Sequence, residues 1–309
     1  MPIPTRLRLF AAAAEGTLGL SATLDAAAGA MNIEEMSRNP AVPFTMLTAQ
    51  NGYGRRGGVG GARSGTKTIM HYLVGKGTTG LPYWASTLLP ACGGVFAAQV
   101  FTPVANCGTG ITCGLFKGAG ATARLYKLAG CMGNAVFTFK AGEIVPVRFT
   151  FTGKQYAAVT QTLPTVTHPT ATPPRFAGGT FTIGGTTYQI DQLEFDMGNT
   201  VVLRPDPTDA TGYISAWIPD RLAKVRISPE ALPLATKDWD DFYYSGTTAA
   251  LALTVGGSAN NTIALAAPAL QLISPPGEGD RDGIETSVLE FQCNQNSDTE
   301  DSEYVLTFS

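Results

Sequence analysis

The sequence predicts an all-β, strand-rich fold built as two tandem β-sandwich or half-barrel units, each with one short helix. Three observations predict it. The 309-residue chain is 44% hydrophobic, ample for a core, yet only 15% charged, with 36 Gly and 20 Pro, a profile of many short strands and turns. The stretch Gly130–Lys154, GCMGNAVFTFKAGEIVPVRFTFTGK, sets Ala135, Phe137 and Phe139 against Val136, Thr138 and Lys140. After a Gly142 turn it sets Val145, Val147, Phe149 and Phe151 against Pro146, Arg148, Thr150 and Thr152, so it reads as an antiparallel hairpin with one buried face. The same order of elements then returns in the second half of the chain.

Residues 1–30 are Ala-rich and weakly periodic and read as an N-terminal arm with a short helix around Arg8–Glu15. Arg6, Arg8 and LFAAAA imitate a secretory leader, but Glu15 and Gly16 cut the apolar run short, and no later segment reaches bilayer-spanning length. A soluble protein made in the cytoplasm, without membrane contact, is the expectation. The first unit, 31–156, opens with a strand at Met31–Ser37. Residues 38–62, with NPAVPF and NGYGRRGGVGGARSG, are too rich in Gly and Pro for regular structure and too long for an ordinary connector. A strand at Thr66–Val74 follows, then a helix over Leu81–Cys92, with Pro82 at its start and Trp84, Leu88 and Ala91 on one face. Phe101–Lys127 reads as strand, turn and strand, leading into the hairpin.

Residues 157–178 are Pro/Thr-rich and aperiodic and read as a linker. In the second unit, 179–309, DQLEFDMGNT (191–200) parallels MNIEEMSRNP (31–40). The Pro/Gly/Asp segment Arg204–Asp220 takes the place of the long loop, and Leu222–Ile227 that of the strand Thr66–Leu73. KDWDDFYYSG (237–246) matches the first helix, with Trp239, Phe242 and Tyr243 as its face. A β tract, Leu251–Ile273, precedes GIETSVLEFQCN, the counterpart of the second hairpin strand.

Composition and motifs exclude several functions. A net charge of −3 gives no basic footprint for gripping phosphates. GYGRRG satisfies GxGxxG but lacks the strand, helix and acidic residue of a dinucleotide site, and no Gly-Lys-Ser/Thr triplet makes a P-loop. His71 and His168 are the only histidines, too few for a three-His metal site, and no HExxH or GxSxG occurs. No enzyme and no cofactor is predicted. GEGDRDGIE (277–285) reads as a charged hairpin turn in preference to a calcium loop, and SDTEDSE (297–303) as a solvent-facing connector between strands. Five cysteines without CxxC spacing read as reduced thiols, with a Cys107–Cys113 bridge as the alternative.

The hairpin, CMGNAVFTFKAGEIVPVRFTFTG, resembles that of tailed-phage tail tube proteins, the major tail proteins of siphophages. The resemblance continues through LEFDMGNTVVLRPD, RISPEA, ATKDWDDFYYSGTTAALAL and IALAAPALQLISPPGEGDRDGIETSVLEF, and upstream through AAAAEGTLGLSATLDAAAGAMNIEEMSRNP. GYGRRGGVGGARSG departs from the family pattern. The resemblance implies a virion structural protein whose subunits close into rings, with inner-sheet strands joined across subunits into a continuous ring-shaped β-barrel, and stack into a tube around a DNA channel. It also implies a tape measure protein in the lumen, and tail terminator and distal tail or baseplate proteins at the ends. With the fold present twice per chain, three copies would make a ring of six similar domains. A lumen through which DNA slides must be acidic or neutral. Glu34, Glu35, Asp191, Glu194 and Asp196 are the candidate lining, balanced by Arg63, Lys67, Lys224 and Arg226. Tyr53, Arg55, Arg56 and Arg63 are the candidate inter-ring contacts. The alternative is a tandem β-sandwich binding module, an adhesin or carbohydrate-binding protein.

Overall fold

The computed structural model describes residues 8–24, 30–31, 33–47, 56–166, 171–296 and 299–309. The first strands are β1 (Arg8–Ala14), β2 (Ala30–Met31), β3 (Glu35–Ala41), β4 (Phe44–Thr45), β5 (Val59–Gly60) and β6 (Ser64–Tyr72), followed by the helix α1 (Tyr83–Leu88). Then come β7 (Gly94–Ala97), β8 (Val100–Pro103), β9 (Ile111–Lys117), β10 (Arg124–Lys140), β11 (Pro146–Gln155) and β12 (Val159–Thr160). The second half holds β13 (Phe181–Ile183), β14 (Ile190–Asp196), β15 (Asn199–Pro205), β16 (Tyr213–Arg221), β17 (Lys224–Pro229) and α2 (Trp239–Tyr244). It ends with β18 (Thr248–Val255), β19 (Ile263–Leu272), β20 (Gly277–Arg281), β21 (Ile284–Asn294) and β22 (Val305–Phe308).

The spine is one antiparallel sheet in the order β3–β6–β11–β10–β14–β17–β21–β19–β18–β13. One branch leaves the first part of β10 through β9 and β1 to β2. Another leaves the first part of β19 through β22 and β8 to β7. Among the described residues no pairing closes this network on itself, so the chain alone is an open sheet.

The predicted hairpin, β10 and β11, lies inside that spine, between β6 and β14. Phe137 lies opposite Val147 and Ala135 opposite Phe149, and Phe137, Phe139, Phe149 and Phe151 are all buried in the core. β10 is long because it changes partners along its length. Up to Leu128 it pairs with β9, and from Val136 to Lys140 with β14. The register breaks on both sides between Leu128 and Met132. Gly130 sits in this bulge at φ 59°, a conformation that favours glycine, and a Cβ there would lie 2.9 Å from the Cα of Ser215, so the backbone of β16 seats directly on it. The buried Glu15 carboxylate secures the bulge by accepting from Gly130 N–H, Gly19 N–H and the Thr112 hydroxyl, each at 2.7 Å.

Both helices form where expected. α1 starts after Pro82, passes into a 3₁₀ turn at Pro90–Cys92 and ends at Gly93. The Asp238 carboxylate caps α2 by accepting from Asp241 N–H, satisfying an amide that the helix itself leaves unpaired. The Trp84 ring lies 6.1 Å from Phe149 and the Trp239 ring 6.0 Å from Phe291, and both are core residues.

Four expectations are corrected. Arg8–Glu15 is not helical: Arg8–Ala14 is strand β1, with Phe10 and Ala12 in the main core and Leu9, Ala11 and Ala13 in a second cluster. A strand buried on both faces shows no alternation to read, and β1 thereby places this part of the supposed arm inside the fold. Arg204–Asp220 is not a loop but most of the β15–β16 ribbon, tied to the first half by Lys154–Asp209 at 2.7 Å and by Arg63 N–H donating to Thr211 O. The strand read at Met31–Ser37 divides into β2, on β1, and β3, on β6. SDTEDSE does not simply face solvent, because Asp301 and Glu303 both accept from the part-buried Arg221 guanidinium.

The segment read as a linker is held at both described ends. β12 pairs with the start of β10, and Phe176 exchanges backbone hydrogen bonds with Gly142 and Glu143 while packing on Phe139. GEGDRDGIE forms the β20–β21 hairpin, with Asp282 and Gly283 both at positive φ in the turn. All five cysteines are free and buried.

Replacing Glu15 by Ala leaves three donors without their acceptor. Glu15→Ala should lower the unfolding free energy by at least about 3 kcal/mol, measured by urea denaturation.

Candidate functional site: one polar face and two bare edges

Because strand side chains alternate, the spine has an apolar face on the core and a polar face turned the other way. One row of opposed residues crosses the polar face as Glu35, Met70, Arg148, Val136, Asp196, Lys224, Gln292 and Gln271. The next runs Thr138, Glu194, Arg226 and Glu290. On the other side hydroxyls pair across strands, Thr68 with Thr150 at 3.4 Å and Thr66 with Thr152 at 3.3 Å.

Charges on this face cancel at short range. Arg148 lies 3.9 Å from Glu35, and Lys224 2.9 Å from Glu290. Arg226 bridges Glu194 and Glu290 at 3.3 Å each. Lys140 holds Glu143 at 2.7 Å, and Asp196 accepts from Asn134 and from Gly198 N–H. The Lys224 hydrogen bond and the Arg226 charge hold the Glu290 carboxyl below its usual range, and Glu290 in turn raises Arg226. Glu290 therefore stays ionised into mildly acidic solution.

Of the five predicted acidic residues, Glu35, Glu194 and Asp196 share this face. Glu34 precedes β3, exposed, and its charge acts on His71, on the opposite side of β6. Asp191 is exposed at the mouth of an open concavity of about 750 Å³ bounded by Glu194, Arg226, Arg281 and Glu290. Of the expected balancing cations, Lys224 and Arg226 are in place, but Lys67 is not. It lies fully buried on the core side, donating to Cys113 O at 2.6 Å and Tyr126 O at 2.7 Å. Arg148, Glu290 and Asn134 were missed, although the alternation of the hairpin puts Arg148 and Asn134 on the face of Thr150 and Val136.

Of the predicted loop contacts, Arg56 and Arg63 are exposed, with Arg56 N–H bonded to Leu47 O. Tyr53 and Arg55 lie outside the described residues. The base of this loop is the β4–β5 ribbon, which carries its apolar side chains outward: Phe44 is 61% and Val59 60% exposed, with Val42, Met46 and Leu47 beside them. Such a cluster on a polar surface marks a contact with another molecule.

Among the described residues the spine ends on strands that pair on one side only, β3 with β6 and β13 with β18, and β20, outside the spine, pairs only with β21, leaving rows of backbone donors and acceptors able to template further pairing. No group of three His, Cys, Asp or Glu among the described residues could hold a metal ion, and no described helix is long and apolar enough to cross a membrane.

A family model described as phage tail tube protein matches residues 9–293, which takes in nearly the whole spine. Comparison with curated proteins gives no match.

Burial, above all, pulls the Lys67 ammonium down to about 8 from its usual 10.5. Below pH 8 both folded and unfolded chains hold the proton, and the cost of burying the charge is fully present. Between pH 8 and 10.5 the unfolded chain binds more protons, so this residue's contribution to stability rises with pH. The unfolding free energy of the native protein minus that of Lys67→Met should rise by about 3 kcal/mol across that window, measured by denaturation at stepped pH.

Proposed function

Because the chain belongs to the phage tail tube protein family, and is thus a non-enzymatic structural protein of the virion tail that assembles into a tube, we propose how this chain builds that tube. Three copies form each ring of a siphophage tail, each copy contributes two similar wall units, and the polar sheet face lines the channel for DNA. The observation that carries this reading is the repeated strand order. β3–β6–β11–β10 in the first half matches β14–β17–β21–β19 in the second, and β10 pairs with β14 where the two runs meet. The helices sit alike, Trp84 on Phe149 and Trp239 on Phe291. Superposing those contacts matches Met36, opposite Ile69, with Phe195, opposite Val225. The sequence parallel of MNIEEMSRNP with DQLEFDMGNT, which set Met36 against Asp196, is therefore one residue out.

A neutral lining suits passage of a polyanion. Each Lys or Arg that neutralised a phosphate would add a salt-dependent attachment and hold the genome in place. With Arg148, Lys224 and Arg226 already engaged by carboxylates, few cations remain free for phosphate. The apolar β4–β5 ribbon is the natural contact between rings, since head-to-tail stacking is heterologous and grows as a filament. The lumen would hold the tape measure protein and then DNA, and terminator and distal tail proteins would meet the two ends.

Negative-stain microscopy of the purified protein should show rings with six-fold appearance and hollow tubes, and mass photometry of rings three chains. A persistent monomer at high concentration would sink the reading. Replacing Phe44 and Val59 together by Ser should leave the chain folded and able to form rings but shorten or abolish tubes, scored by length distributions. Changing Glu194, Asp196 and Glu290 together to Lys should give tubes that retain a short DNA duplex at low salt and release it at high salt, measured by co-sedimentation. Native tubes should retain none.

A further inference from the structure

The two helices hold equivalent places, yet one is covered and the other is not. Trp84 on Phe149 and Trp239 on Phe291 set Ala85 against Asp240, Leu88 against Tyr243 and Leu89 against Tyr244. In α1, Ala85, Leu88 and Leu89 are fully buried. In α2, Asp240 is exposed, Tyr243 is half-buried and Tyr244 is 77% exposed, and Leu234, in the segment leading into the helix, is 72% exposed. The difference lies in what the other half of the chain supplies. The Phe308 ring of β22 stands 5.8 Å from Trp84. The turn between β18 and β19 seats on the segment leading into α1, where Asn261 Oδ1 accepts from Gly75 N–H at 2.8 Å and Asn260 O from Gly77 N–H at 3.1 Å. The rings that meet α2, Tyr188 on Trp239 and Phe291 on Trp239 and Phe242, all belong to its own half.

We infer that the outer face of α2 is a docking surface for a second copy of this chain, covered by that copy's β9–β10 turn as α1 is covered by the β18–β19 turn within one chain. The two turns correspond, because each joins the strand that enters the spine, β10 or β19, to the strand before it. Charge supports the match. At the base of the β9–β10 turn Arg8, Lys117 and Arg124 lie side by side across β1, β9 and β10, an arrangement in which like charges repel. No ion pair among the described residues takes up any of the three. The first turn of α2 exposes Asp240 and Asp241, and the nearby Lys237 ammonium is turned onto the Trp239 and Phe242 rings, 4.6 and 4.0 Å from their centroids. Asp240 and Asp241 of one copy therefore face Lys117 and Arg124 of the next. The choice of side chains fits a surface that is wet first and covered later. Where α1 carries Leu88 and Leu89, α2 carries two tyrosines, whose rings bury apolar area on docking while their hydroxyls tolerate water in the free chain.

This inference rests on the tube reading, and its test separates the two. Isotopically heavy and light chains of the native protein are mixed, assembled and treated with a carbodiimide, which joins a carboxylate to an ammonium in direct contact. Mass spectrometry should find Asp240 or Asp241 joined to Lys117 in heavy–light pairs, which only a contact between chains gives. Asp240→Lys with Asp241→Lys, and Lys117→Glu with Arg124→Glu, should each lower the assembled fraction at low salt by at least about tenfold, because like charges then meet, and added salt should ease both defects. The chain carrying all four changes should assemble again, a rescue that damage to the fold would not give. Where a reversed chain folds poorly by circular dichroism, the cross-link on the native chain decides alone. Native tubes without that cross-link, or well-folded reversed chains that assemble as the native chain does, overturn the docking while leaving the tube reading intact. Failure of the native chain to assemble at all overturns both.

Discussion

The structure turns on the change of partner along β10. One continuous strand serves β9 in its first part and β14 in its second, while β11 lies along its other side from Leu128 to Phe137. A strand can make that change only where its ladder is interrupted, and the interruption at Gly130 is held by a backbone conformation that favours glycine, by Ser215 seated on the glycine, and by the Glu15 carboxylate accepting its amide. These supports come from three separate stretches of chain. The two halves are consequently not beads on a linker: they share a sheet, and β16 of the second half packs on the bulge of the first.

The sheet face opposite the core shows a second constraint. Strand alternation forces every other residue of the spine outward whether or not solvent suits it, and the outward positions are filled by Thr hydroxyl pairs and by cations engaged with carboxylates. Exposed ion pairs of this kind add little to stability. Their value lies in leaving little net field, a property of the surface as a whole more than of any residue on it.

Legibility in the sequence followed burial on one face against burial on two. The hairpin, with Phe137 and Phe149 inward and Thr138 and Thr150 outward, could be read residue by residue. So could the helices, because Pro82, Gly93 and Asp238 mark their ends. Ala11–Ala14 could not, since both sides of β1 are covered and an Ala run suits helix and strand alike. The β15–β16 ribbon was obscured by Pro205, Pro207 and Gly212 near its tip. The burial of Lys67 has a signal in the sequence, for it shares the parity of Ile69 and Leu73, although its charge points the other way. At the candidate site, Glu35, Glu194 and Asp196 were found by strand matching, whereas Glu290 and Arg148 needed the ladders, because their partners lie 64 to 113 residues away along the chain.

The β10–β14 junction also bears on how assembly begins. In a ring built from six separate units every seam would be a collision between molecules, each losing translational freedom. In the proposed ring of three such chains every second seam would form as the chain folds, at the high effective concentration that a covalent tether supplies, so that ring would need three encounters in place of six.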